Sequence, residues 1–466
     1  MELNSDPLYS FVGSHTLPIY RNDNSVRSFL SDYYQQYSHD LNNCLNNYNG
    51  RVLPDSIYNT LRSIFACVQN SSNNIISFLD AFNAGKRKKS TEIFDDMMQE
   101  ISCYLPVKKL NAQVKDRFHT YYRIRNGNVK EREELFHIPM SKRELIGAYR
   151  YSIPGQPCLY LANGLELCFF ECGMPMDFSC SKFQLTISEG QTANFLDFSK
   201  DERSIIGDIY NWLYNCPEDK NSIEQYLCKF IVSFPLRAAC SLSVKDRSAK
   251  FVEEYIIPQQ LTAWIVERDG IDGILYQTCS SNRIARSWTY TNLVVPATNL
   301  TGDYCAKLKD MFVLTNPVHV IVRDKIVGGI YQVEQVKKVL SAIRKLYLEG
   351  KALDAYITIE SLCQTFLAIV ESLTEENYKN PEVLDSMLNS IMRSAHMLFN
   401  NRESIKNESM ARCPCLVQPK EHYEADFDYV MALFGEAKDM MTYYSSYESI
   451  ICNQIDFGKL SMEHLK

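Results

Sequence analysis

No apolar run in the chain approaches the about 20 residues that a membrane-spanning helix needs, which reads against an integral membrane protein. A charged leader followed by an apolar stretch is also missing from the first residues, MELNSDPLYS. The sixteen cysteines are therefore not expected to form a secreted disulfide framework, and a cytoplasmic location is expected. There is no Cys-x-x-Cys pair. The closest cysteines, Cys168 with Cys172 and Cys413 with Cys415, lack the further ligands of a tetrahedral zinc site. His422 alone lies near the second pair, and no metal is expected. Positive charge is not in excess: the net charge is -7 and the pI about 5.7, which argues against a nucleic-acid binder that works by neutralising phosphates. The one basic run, Lys86-Arg87-Lys88-Lys89, reads as a solvated loop. Gly-x-Gly-x-x-Gly, GxxxxGK[ST] and His-Glu-x-x-His are all absent, so dehydrogenase, P-loop and zincin readings drop out.

What is present is a globular composition, 45% hydrophobic and 23% charged, in a chain of 466 residues, too long for one ordinary core. Residues 1–25 read as an irregular lead-in. From Val26 to Tyr104 apolar residues recur at helical spacing, as in Ile57, Leu61, Ile64 and Phe65. Leu105-Pro106 closes this stretch, because a residue before proline is pushed out of helical geometry. The pattern predicts a helical module over 1–107.

Between 108 and 327 short β-branched and aromatic runs alternate with helical ones, which predicts an α/β domain. Its expected strands include Tyr121–Ile124, Cys158–Ala162, Gly273–Gln277 and Tyr290–Val295. A helix is expected from Pro258 through Leu261, Trp264 and Ile265 to Asp269-Gly270. After Gly328-Gly329 the period is helical again, as in Val333, Val336 and Leu340, giving a helical module over 328–466. Arg393-Ser394-Ala395-His396, in this last range, reads as a surface polar cluster.

Chemistry-bearing residues concentrate between 119 and 172. Glu171 follows Leu167, Cys168 and Phe170, and an ionised carboxylate among apolar neighbours is costly without partners. Read as a helix from Leu165 to Cys172, the segment puts Leu167, Cys168 and Glu171 on one face. Arg123 lies on an expected strand that ends in an Asn126-Gly127 turn. Its guanidinium offers paired donors suited to phosphate, and Arg125 would share its face if the strand ran on. Gly155, between Pro154 and Pro157, fits a tight turn at a pocket wall.

Tyr122-Arg123, then Phe136-His137-Ile138-Pro139, then Arg150-Tyr151-Ser152-x-x-Gly155-x-Pro157-x-x-Tyr160-Leu161, then Glu171, resemble the motifs of the RES domain in their order. The second half of the domain is similar as well, in Phe251-x-x-Glu254-Tyr255, Asp272-Gly273-Ile274-x-Tyr276 and Asn292-x-Val294-x-Pro296. The resemblance covers about 200 of the 466 residues. It implies a middle domain with a fold similar to the ADP-ribosyltransferase toxins, flanked by two all-α modules, and NAD+ as substrate.

The implied activity is NAD+ degradation, by a glycohydrolase or a phosphorylase, in a toxin or anti-phage effector. A protein ADP-ribosyltransferase using the same site is one alternative, and a catalytically inactive binding or scaffold protein another. The resemblance assigns catalysis to Glu171, Arg123 and Tyr160. Cofactor contacts are expected from Arg123, Arg150, Tyr151 and Tyr160, from His137 unless it hydrogen-bonds the neighbouring backbone instead, and from a hydroxyl of Thr278 or Ser280, since Thr278 occupies the place where the family has its serine. In this chemistry a carboxylate stabilises an oxocarbenium-like ribosyl cation. The expected partners are NAD+, an antitoxin or regulatory protein, and a second copy of the chain through the helical modules.

Overall fold

The computed structural model describes residues 6–21, 24–112, 119–172, 175, 177–200, 205–209, 212, 220–246, 249–268, 270–279, 291–321 and 457–465. It is a mixed α/β structure in which helices cover one large, mostly antiparallel sheet.

Five helices come first: α1 (Pro7–Ser14), α2 (Val26–Asn46), α3 (Asp55–Ser63), α4 (Phe65–Asn83) and α5 (Arg87–Glu100). α1 was not expected, because eight residues between prolines and serines carry too little periodicity to see. It forms because Pro7 suits a first helical turn and the Asp6 side chain accepts from the Leu8 amide at 2.9 Å. The run expected as a loop, Lys86 to Lys89, instead opens α5; all four side chains are exposed, and the Arg87 guanidinium lies 3.5 Å from the centre of the Phe82 ring. The helical reading of 26–104 holds, and α5 runs through one 3-10 turn to an extended Leu105.

These helices do not own a separate core. Their apolar stripes, such as Val68, Ile75, Phe78 and Leu79 on α4, merge with Leu196, Leu261 and Ile274 of the α/β part in one buried cluster. The axis of that cluster is the helix Lys220–Cys240, which follows two shorter helices, α6 (Arg132–Leu135) and α7 (Leu165–Glu171), and is numbered α8. α8 contains Pro235, which cannot donate to the Ile231 carbonyl four residues back. Tyr37 of α2 donates to that carbonyl at 3.4 Å, and Tyr34 donates to the Pro235 carbonyl at 2.7 Å. The proline in α8 and the two tyrosines of α2 thus answer one another across the chain.

The sheet runs β1 (Val107–Asn111), β5 (Thr192–Phe198), β6 (Gly273–Tyr276), β7 (Asn292–Pro296), β3 (Cys158–Ala162), β2 (Thr120–Asn126), β4 (Asp177–Leu185), β8 (Phe312–Thr315) and β10 (Met462–His464) in spatial order, with β9 (Val318–Ile321) also on β4. Among the described strands only β5 and β6 are parallel. The expected helix at Pro258 is α9 (Ile256–Val266), and α10 is Ala306–Met311.

The pairing register opens a gap in the middle of the sheet. β2 pairs with β4 along its whole length, but with β3 only at Tyr122↔Ala162, so the sheet splits where Arg123 and Tyr160 face the gap. At the sheet's edge, the end of the range read as helical, 457–465, instead holds a 3-10 turn and β10, which joins β8. The helical reading of 328–456 lies outside the described residues, as do Arg393 to His396 and the Cys413, Cys415 and His422 group. Among the described residues no helix is long and apolar enough to cross a membrane.

Candidate active site

A cavity of about 760 Å³ opens at the split between β2 and β3, within the about 300–1,000 Å³ of ordinary ligand sites. Arg123 and Arg125 of β2, Tyr160 of β3 and Glu171 of α7 all line it, together with Asn292 of β7 and Lys250. Four cationic side chains, Arg123, Arg125, Arg150 and Lys250, face one carboxylate, Glu171, so the lining favours an anionic ligand.

The strand continues to Asn126, which puts Arg125 on the face of Arg123, two residues on. Arg123 is half-buried, and its Nη1 is shielded from water with no hydrogen-bond partner. Burial, and then the like charge of Arg125, push its pKa down to about 10. A shielded guanidinium nitrogen left unpaired is costly, and a bound anion would satisfy it. Among the described residues no ion pair joins it to Glu171.

Glu171 is not buried, contrary to the expectation from its apolar neighbours. Leu167 and Cys168 point into the sheet, with exposures of 0% and 6%, while Glu171 sits on the last turn of α7 and is exposed at the cavity wall. The short helix ends just as its face turns outward, so the acid needs no buried partner. The Asn292 amide donates to its Oε1 at 3.2 Å.

Tyr160 is held by its hydroxyl. The Tyr151 amide donates to Oη at 3.2 Å, and the Ser152 hydroxyl lies 2.8 Å from the same oxygen. Burial raises the phenol well above its usual range, so it stays neutral. The ring meets Tyr149 edge-on at 6.2 Å. Tyr151 itself is buried behind this bond, with its ring 4.8 Å from that of Tyr276, and does not line the cavity.

The other expected contacts are arranged differently. Arg150 reaches the cavity wall, but its Nη1 and Nη2 donate to the carbonyls of Cys240 and Leu242 at 2.9 and 2.8 Å, capping the C-terminal end of α8. His137 stands outside the cavity lining and is fully buried. Its Nε2 accepts from the Cys305 amide at 2.9 Å, and its Nδ1 is 2.9 Å from the Ile138 carbonyl. Those bonds select the neutral ring, and burial pushes the pKa down to about 4. Thr278 is buried and outside the lining, where its neighbour Cys279 stands instead; Ser280 lies outside the described residues.

Ser152 and Asn292 carry no role in the sequence motifs that contain them, and their contacts with Tyr160 and Glu171 provide one. The second contact is not visible in sequence, since Asn292 meets Glu171 across 121 positions, while Ser152 lies only eight residues from Tyr160.

No family model matches the chain. Over 330 residues, 67% of this chain and 70% of the other, it is 26% identical to the protein named "Putative toxin YopC" from Bacillus subtilis (strain 168). No solved structure matches it.

Proposed function

We propose that the chain is an NAD+-consuming enzyme of the RES type that acts as a toxin by depleting NAD+, as a glycohydrolase or a phosphorylase. The observation that carries this reading is the shielded, unpartnered Nη1 of Arg123 on the wall of a cavity that also holds Tyr160 and Glu171. NAD+ fits such a lining. Its pyrophosphate would answer the cationic excess of Arg123, Arg125 and Lys250, and its rings would find Tyr160 and Tyr149. The similarity to a protein whose name calls it a toxin agrees with the biological side of the reading.

In this account Glu171 stabilises positive charge on the ribose as the glycosidic bond breaks and its electron pair leaves with nicotinamide. Asn292 holds that carboxylate, and Ser152 with the Tyr151 amide fixes the ring of Tyr160. Water, in a glycohydrolase, or phosphate, in a phosphorylase, then bonds to the ribosyl carbon and loses a proton. The resemblance puts a RES fold behind this site and an antitoxin or regulatory protein beside it.

Expression in a bacterial host tests the reading. The wild-type chain should arrest growth and lower cellular NAD+, and Glu171→Gln should do neither. A catalytically inactive binding protein would leave NAD+ unchanged in both forms.

A further inference from the structure

We propose that residues 457–465 are a clasp that positions α7, the helix carrying Glu171. The functional consequence rests on the reading of Glu171 as the site's carboxylate; the physical claim does not.

Residues 457–465 are fastened in four ways. β10 pairs with β8 in the register Met462↔Thr315, Glu463↔Leu314 and His464↔Val313. Glu463 Oε2 lies 2.7 Å from Arg132 Nη1, and the Arg132 side chain is only 14% exposed. His464 Nδ1 bonds the Lys309 carbonyl at 2.8 Å. Leu465 is 4% exposed in the apolar cluster beneath β8.

A segment fixed there presents Phe457 to a different cluster. Its ring lies 5.4 Å from that of Tyr122, and it packs on the group formed by Ile124, Leu165, Leu167, Cys168, Phe178 and Val320. That group is what holds α7. A helix of seven residues is too short to persist without packing, and this one has its apolar side on the cluster that Phe457 covers. Tyr122 is the residue before Arg123, and its carbonyl accepts from the Cys168 thiol at 3.1 Å, so Phe457 touches the place where β2 and α7 are joined.

β9 reaches the same cluster through Val318 and Val320. β9 and Phe457 therefore pack against one set of side chains, on which α7 also rests.

Cys168 reports how α7 is seated through a readout other than turnover, because the residue is only 6% exposed and its thiol bonds the Tyr122 carbonyl. The full-length protein is labelled with a maleimide, and each cysteine is followed by peptide mass spectrometry. In Phe457→Ala the labelling rate of Cys168 should rise about tenfold or more, with buried Cys44 of α2 unchanged; Phe457→Leu should stay near wild type. NAD+ turnover should fall in step with Cys168 exposure. If Phe457→Ala speeds Cys44 equally, the fold as a whole has loosened and Arg132→Gln decides, since it slackens β10 and leaves the cluster intact. Cys168 labelling at the wild-type rate in Phe457→Ala, or in Arg132→Gln where that variant decides, overturns the clasp. A wild-type chain without NAD+ turnover removes the reading of the site, while the labelling still decides the clasp.

Discussion

The amide of Asn292 on β7 donates to Glu171 Oε1 at 3.2 Å, joining two residues far apart in sequence on the wall of one cavity. Asn292 is buried and Glu171 exposed, so the bond fixes the carboxylate from its protein side and leaves the other oxygen to the cavity. Replacing Asn292 by Ala should lower NAD+ turnover about tenfold, the effect of losing one hydrogen bond to a charged group. Asn292→Asp should cost more, since it sets a second carboxylate against the first. Equal kcat values for the two variants would show that the contact does not serve Glu171.

Tyr160 is oriented by the Ser152 hydroxyl and the Tyr151 amide. Tyr160→Phe keeps the ring and strands both partners, while Ser152→Ala removes one. If the ring stacks on the substrate, Tyr160→Phe should raise KM modestly, by about three- to tenfold, and Tyr160→Ala should raise it further. Steady-state kinetics with NAD+ separates the two, and a Tyr160→Ala variant with unchanged KM would remove the tyrosine from the site.

His137 contributes to stability in a pH-dependent way. Its pKa is about 4 in the folded chain against 6.5 for an ordinary histidine, so the unfolded chain binds the extra proton first. The stabilisation is present above pH 6.5 and is lost as pH falls from there towards 4, by on the order of 3 kcal/mol. Urea midpoints at pH 7.5 and pH 5 should differ in wild type and differ less in His137→Gln. Identical pH dependence in both would contradict this account.

Gly273 opens β6 where a Cβ would stand 2.4 Å from the Val294 carbonyl oxygen and 3.2 Å from Val295 Cγ2. Because the close atom is backbone in the β6–β7 pair, Gly273→Ala must displace one strand. It should destabilise the fold by at least about 2 kcal/mol, read as a lower urea midpoint. A midpoint at the wild-type value would mean that the strands are looser than this packing implies.

Local patterns made much of this legible. Cys158–Ala162 and the helix after it were visible because apolar residues cluster and Asn163-Gly164 separates them. Gly155, with φ +80, shows why a glycine stands in that turn. What could not be read depends on distant partners. The split between β2 and β3 is a matter of pairing register, which neither strand encodes alone. His137 and Arg150 looked like ligand contacts because their partners, the Cys305 amide and the end of α8, lie 168 and 90 or more residues away. The exposure of Glu171 turned on where a seven-residue helix stops, a boundary that periodicity over two turns does not locate. The return of Met462–His464 as a sheet strand was hidden because three residues show no period.

The most direct test of the central claim is to incubate the purified chain with NAD+, with and without phosphate, beside Glu171→Gln, and to identify the products by mass. The account predicts nicotinamide release by the wild type alone, with the partner product naming the acceptor. Equal release by both proteins, or none from either under any condition, would contradict it.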